Sequence, residues 1–450
     1  METVKKNWNL IACIIVMIIL TIVMFVYIDK KEGFHEDEIF SYTASNSSYS
    51  NILLSYAKQD NVDTILKTPN MFETLGNLIY YMVFNRDEYA EKENSLQERL
   101  NTSIWRTKDE VCETMKIDSI HEVFDYFTVY WNTSRDVHPP LFYFLVHFVS
   151  SLFYNNFSKY IIFIINLAFF LETCIILRKI AIKLNKENLA IPILILYGLS
   201  IGAISTVMFQ RMYMMLTFFT VCFLYLNLKI YYNNFKIDKK LGKWLVITTI
   251  LGFLTQYYFC VYAAFLSLIM LVLMFKNKHK IEAKIYIWQL IKSAIIGVVL
   301  FLPSIYHIFF SYRGAAKAYS EFSFFEKFIA FITQFFDSFS LSNIAGIIIS
   351  SILAIILIVG IIKNKEERTL YILLLVPVFL SFLVICKLSP YRSLRYIMNF
   401  LPIIAIIAVY LINILLECIF KNKKIIILIL TVLVSILSIV GLTINKVKYL

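Results

Sequence analysis

Uninterrupted apolar stretches, each long enough to cross a hydrocarbon layer of about 30 Å, constrain this chain more than any other feature of it. A helix rises ~1.5 Å per residue, and in lipid a helix is one of only two backbones that satisfy all their own polar groups. Stretches of this kind fall at 8–28, 161–177, 189–208, 212–229, 244–258, 259–275, 285–303, 344–362, 370–386, 396–417 and 425–442, which makes about eleven expected spans. The composition agrees. Of 450 residues, 59% are hydrophobic and 16% charged, with a mean hydropathy of +0.70, too little polar surface to cover a soluble core. The expected fold class is an all-α polytopic membrane protein, a single membrane-embedded domain over 1–450 with interfacial helices in a large first extracytoplasmic loop.

The orientation follows from lysine. Arg178 to Lys183, Asp238-Lys239-Lys240, Lys276 to Lys280, Lys363 to Arg368 and Lys421 to Lys424 form five basic connections, expected on the cytoplasmic side. The net charge of +12 is spread over these short clusters rather than one folded face, so it speaks for membrane orientation and against nucleic acid. Lys5 and Lys6 precede the first run, which has no small-residue cleavage site and reads as a retained signal-anchor helix with its N-terminus inside. Leu450 is then expected outside.

The segment from Pro140 to Tyr154 tests this arrangement. It is as apolar as a span, but about fifteen residues reach only about 23 Å. If it crossed, all five basic connections would face outward. It is therefore expected to lie on the outer interface, the alternative being a short tilted span. The first extracytoplasmic loop then runs over 29–160, with Glu38 to Lys58 and Met71 to Asn85 suited to lying along an interface, and a second large loop covers 304–343. The seven cysteines suggest no disulfide framework, since only Cys112 lies away from apolar sequence.

Three outer constellations could carry chemistry. The first, Phe34-His35-Glu36-Asp37-Glu38, follows the first span at once. Paired carboxylates at the lipid boundary suit a general base or a cation site, while Asp37 as a plain helix cap is the alternative. The second, Arg135-Asp136-Val137-His138-Pro139-Pro140, leads into the interfacial segment. Asp136 and His138 alternate on one side of an extended strand and could share a divalent metal ion or a phosphate oxygen. The third group is cationic and aromatic: Gln210-Arg211-Met212-Tyr213, Tyr312-Arg313, and Tyr391-Arg392-Ser393-Leu394-Arg395-Tyr396. Guanidinium suits a lipid phosphate; anchoring to membrane lipid head groups, with tyrosines in the aromatic belt, is the competing account.

The Asp37-Glu38 pair after the first span, His138-Pro139-Pro140-Leu141-Phe142-Tyr143 closing the first outer loop, Arg211-Met212-Tyr213 at a later turn and Arg392 to Tyr396 before Pro402 occur in an order that resembles the GT-C membrane glycosyltransferases. The similarity is to their protein O-mannosyltransferase and aminoarabinose-transferase branch. It implies a multi-pass protein, expected in the plasma membrane, that transfers a sugar from a polyprenyl-phosphate donor to an acceptor (protein, glycan or lipid) on the extracytoplasmic face. The resemblance implies Asp37 as base with Glu38 supporting it. It implies substrate binding by His138, Arg211, Tyr213, Arg313, Arg392, Arg395 and Tyr396, and a metal or phosphate contact at His138 beside Asp136. Glu36 before the acidic pair departs from the family pattern, and no large soluble C-terminal domain is present. A transporter or flippase is the main rival; it would call for charges in mid-span and broken helices, and Glu172 and Glu417 lie near span ends instead. A non-catalytic envelope scaffold would leave Asp37 freely replaceable.

Overall fold

A computed structural model describes residues 2–46, 80, 107–134, 138–304, 322–363, 365–444 and 446–450. Among them the regular structure is all helical. The helices are α1 (Glu2–Asp29), α2 (Glu36–Asn46), α3 (Lys108–Glu113), α4 (Tyr126–Ser134), α5 (Leu141–Leu152), α6 (Tyr160–Lys183), α7 (Ala190–Gly198), α8 (Ile201–Met208), α9 (Tyr213–Tyr232), α10 (Lys239–Thr255), α11 (Tyr258–Lys276), α12 (Lys280–Leu300), α13 (Phe324–Ser338), α14 (Asn343–Lys363), α15 (Lys365–Leu388), α16 (Leu401–Ile419) and α17 (Lys423–Ile444). Eight of them, α1, α6, α9, α11, α12 and α15 to α17, are long and apolar enough to cross a membrane. The chain is an integral multi-pass membrane protein.

Three expected spans take other forms. The stretch 189–208 breaks by 61° between α7 and α8, because the Ser200 hydroxyl accepts from Ala203 N at 3.1 Å and caps a new helix. The stretch 244–258 lies mostly in α10, which has 17 residues and stops at an extended Gln256. The stretch 344–362 lies in α14, which meets α13 at 89°. Helix α13 itself occupies part of the expected 304–343 loop. A capping box between Ser323 and Glu326 starts it. It buries Lys327 and Phe331 while Phe325 and Ile329 stay exposed, and Lys327 Nζ donates to the carbonyls of Lys387 and Ser389 at the end of α15 (3.2 and 2.9 Å).

The chain forms two compact units: Met1–Gly33, Phe163–Gly297 and Ala318–Leu450 in the first, Phe34–Ile162 and Val298–Lys317 in the second. In the first unit α9 is the central element, buried over most of its length. Helix α1 runs along the side, with Ile11, Ile15, Ile18 and Ile22 exposed and Cys13, Leu20 and Met24 buried. That exposed stripe recurs at helical spacing and is stable only against lipid. The backbone approach on the other side is close, since a Cβ at Gly198 would lie 2.4 Å from Leu20, the small-residue packing usual between membrane helices.

Side-chain contacts group the connections by end. At one end Asn9 meets Asn188 at 3.2 Å, Arg178 meets Glu187 at 2.7 Å and Lys186 meets Glu417 at 3.7 Å. Tyr410 also donates to Glu367 there, at 3.2 Å. At the other end Lys31 donates to the Tyr449 carbonyl, and Asn166 near the start of α6 reaches Phe209. The first unit thus loses the chain after α1 and regains it at α6 on the same end. A lone crossing by the intervening segment would put those two points on opposite ends. Helix α5, the one apolar helix in that segment among the described residues, has 12 residues and reaches about 18 Å.

The second unit has a polar centre. Helix α2 packs against α4 and α5, yet it buries Glu38, Ser41, Thr43, Ser45 and Asn46. Each hydroxyl bonds back to its own helix, as in Thr43 to Ile39 O (3.0 Å) and Ser45 to Ser41 O (2.7 Å). Asn46 bridges the Met115 carbonyl and Ser150 Oγ. His147 Nδ1 lies 2.7 Å from the Ser45 carbonyl and must carry the proton it donates. Of the expected interfacial stretches, 47–58 and all of 71–85 but Tyr80 lie outside the described residues.

Candidate functional site

The acidic motif folds as the start of α2. His35 stands at the cap position: its Nδ1 accepts from Asp37 N at 3.1 Å, and its own N–H is taken by Glu38 Oε2 at 2.7 Å. Glu38 supplies the returning half of a capping box, while the imidazole nitrogen caps the second helical N–H in place of the usual hydroxyl. The two carboxylates therefore differ. Glu38 is fully buried and bound to the backbone, whereas the Asp37 side chain is 27% exposed, with Oδ2 3.4 Å from His35 Nδ1. The helix beneath is firmly held, since Tyr42 packs edge-on against Phe34 and Phe157 and donates to the Ser158 carbonyl at 3.1 Å. Burial pushes the Tyr42 phenol far up, so it stays a donor. A partly exposed carboxylate on a rigid helix start can take a proton from a hydroxyl.

His138 lies just before α5, and Pro140 occupies the cap position of that helix without a side-chain cap. Asp136, its expected metal-sharing neighbour, lies outside the described residues, as does Arg313. Among the described residues no group of three or more His, Cys, Asp or Glu side chains is placed to hold a metal ion.

The cationic and aromatic motifs meet in the first unit. Tyr213 lies within electrostatic range of Tyr396, Arg211, Tyr258 and Tyr449, and Tyr396 within range of Arg395 and Arg211. Segments nearly two hundred residues apart in sequence thus close on one cluster. The Arg395 guanidinium donates to Tyr396 Oη at 3.3 Å and faces the rings of Tyr391 and Tyr396 at 5.5 and 5.2 Å. Burial raises the Tyr396 phenol, and the neighbouring Arg395 partly offsets that rise.

The arginines differ in burial. Arg211 is only 3% exposed and sits in the turn between α8 and α9 with Gln210 and Tyr213, which are also buried. Arg392 is exposed and stands apart, with its guanidinium 4.0 Å over the Phe322 ring and its carbonyl accepting from Gln334 at 2.9 Å. Sequence reasoning missed Phe209, Tyr258 and Tyr449. The signal available was an aromatic at each helix boundary, which a membrane protein shows at many positions without function. No protein-family model, curated protein or solved structure matches the chain.

Proposed function

We propose that the chain is a membrane glycosyltransferase of the GT-C kind, transferring a sugar from a polyprenyl-phosphate donor on the extracytoplasmic face of the plasma membrane. The convergence of Arg211, Tyr213, Arg395 and Tyr396 at one end of an apolar helix bundle carries this reading. Such a cluster suits an anionic head group whose tail lies in lipid. In the reaction Asp37 takes the proton of the acceptor hydroxyl, whose oxygen attacks the anomeric carbon from the face opposite the phosphate. The carbon–oxygen bond to the donor breaks, and the polyprenyl phosphate departs with the electron pair. Arg211 and Arg395 neutralise the charge developing on that phosphate, and the anomeric centre inverts. Glu38 fixes the helix start that presents Asp37. The test is incubation of the purified protein with a panel of polyprenyl-phosphate sugars. Release of free polyprenyl phosphate is expected with at least one of them, and none with any would overturn the proposal.

A transporter or flippase is favoured by one observation, the 61° break between α7 and α8, since broken helices build transporter sites. Movement of a lipid-linked sugar across proteoliposomes without its cleavage would decide for that reading.

A further inference from the structure

Residues Lys446–Leu450 follow α17 and turn back along the Arg211 cluster of the first unit. The Lys448 N–H donates to Ser205 Oγ at 3.0 Å, and the buried Lys31 donates from Nζ to the Tyr449 carbonyl at 2.6 Å. The Tyr449 ring stacks on Phe209 with centroids 3.9 Å apart and planes 17° from parallel. Its hydroxyl meets Ser393 Oγ at 3.5 Å. Val447 is buried.

Two details mark this seat as specific. Tyr449 has φ 64, a left-handed conformation that a bulky residue keeps only where its surroundings over-determine it. Ser205 takes an amide from another segment, whereas its neighbour Thr206 bonds back to Gly202 O at 2.6 Å. Phe209, the ring beneath Tyr449, is also near-parallel to Tyr213, with centroids 5.5 Å apart and planes at 9°. Tyr449 thus bears on Tyr213 through one shared aromatic ring, and on the segment before α16 through Ser393.

We propose that Tyr449 is a positioning residue, and that the strap Lys446–Leu450 fixes Phe209, and through it Tyr213 and the Arg211 turn, in the arrangement that receives a lipid phosphate. This rests on the cluster being the phosphate site proposed above.

The test is binding of farnesyl phosphate to the full-length protein in nanodiscs, with dissociation constant and number of sites measured separately. Tyr449→Ala should raise the dissociation constant about fivefold, the scale of one aromatic pair, while Tyr449→Phe, which keeps the stacked ring, stays within about twofold. Lys31→Met, which frees the Tyr449 carbonyl, should act in the same direction and speed tryptic cleavage after Lys446 and Lys448. A strap with a merely structural role would reduce the number of sites and leave the dissociation constant alone, and that result overturns the inference. It is equally overturned if Tyr449→Ala and Lys31→Met bind as wild type does while Arg211→Ala still weakens binding, an outcome that leaves the phosphate site standing. Failure of the wild-type protein to bind the probe removes the site and this inference together.

Discussion

Asn166 in α6 donates from its amide to the carbonyl oxygen of Phe209 at 2.9 Å, and to that of Val207 at 3.1 Å. The Phe209 carbonyl also takes the Arg211 N–H at 2.7 Å, so it is the Val207 carbonyl, at the end of α8, that relies on Asn166. Inside lipid such groups must be satisfied by another segment. Asn166→Leu should therefore cost about 1–3 kcal/mol of stability for the Val207 carbonyl left unpaired. The loss should appear as a lower midpoint of thermal unfolding in detergent, and an unchanged midpoint would mean that the turn carrying Arg211 is held elsewhere.

The two acidic residues of the first motif should separate in kinetics. Asp37→Asn keeps the shape of the side chain and removes the base, so turnover should fall by about 10²–10⁴-fold with donor binding near wild type. Glu38→Gln should act mainly on stability, losing about 1 kcal/mol of capping at the start of α2. Turnover of the purified variants on a polyprenyl-phosphate sugar distinguishes them. An undiminished rate in Asp37→Asn would move the base to Glu38 or Asp136.

Among the arginines, position decides the magnitude. Arg211→Ala and Arg395→Ala should each weaken lipid-phosphate binding by about 1.5–3 kcal/mol, the worth of a charge-assisted contact. Arg392 is exposed and stacked on Phe322, so Arg392→Ala should cost less. Equal losses at all three, measured by titration with the donor, would return Arg392 to the same clamp.

Acid should loosen the second unit. Burial lowers the pKa of His147 below its ordinary value of 6.5, opposed by its bond to the Ser45 carbonyl. The unfolded chain therefore takes up the proton first as pH falls. The stability from neutral His147 is present above about pH 6.5 and is lost as pH drops through that value toward the folded pKa. Amide exchange in α2 and α5 should accelerate between about pH 7 and pH 5, and His147→Gln should flatten that dependence.

For orientation, a single cysteine placed at Asn277 in an otherwise cysteine-free protein should resist impermeant reagents in intact cells, because the connection from Lys276 to Lys280 is one of the five basic ones. Labelling there from outside would invert the topology.

Much of the bundle was legible because membrane helices are written in a local code of length and apolarity. Breaks in it were not. Ser200 looks like any small polar residue in a span, and only its hydrogen bond to Ala203 N shows that it starts a new helix. The site motifs were legible as residue types, and the structure brings Arg211, Tyr213, Arg395 and Tyr396 within range of one another. The sequence carried no sign that Arg211 is buried and Arg392 exposed, since depth depends on packing between distant segments. Nor did it separate Asp37 from Glu38, whose difference rests on which carboxylate turns back to His35 N.

The second unit is assembled from two stretches far apart in the chain. Tyr130 in α4 packs edge-on against Phe301 at 5.4 Å, and its hydroxyl meets the Leu302 backbone. A ribosome that has just delivered α2 to α5 has not yet made Phe301 and Leu302, and seven helices, α6 to α12, separate the two groups in synthesis. Tyr130 must wait through that interval without Phe301 beside its ring. The unit that contains Asp37 is thus early in synthesis and late in completion, which makes it the natural client of whatever guards unfinished membrane proteins during insertion.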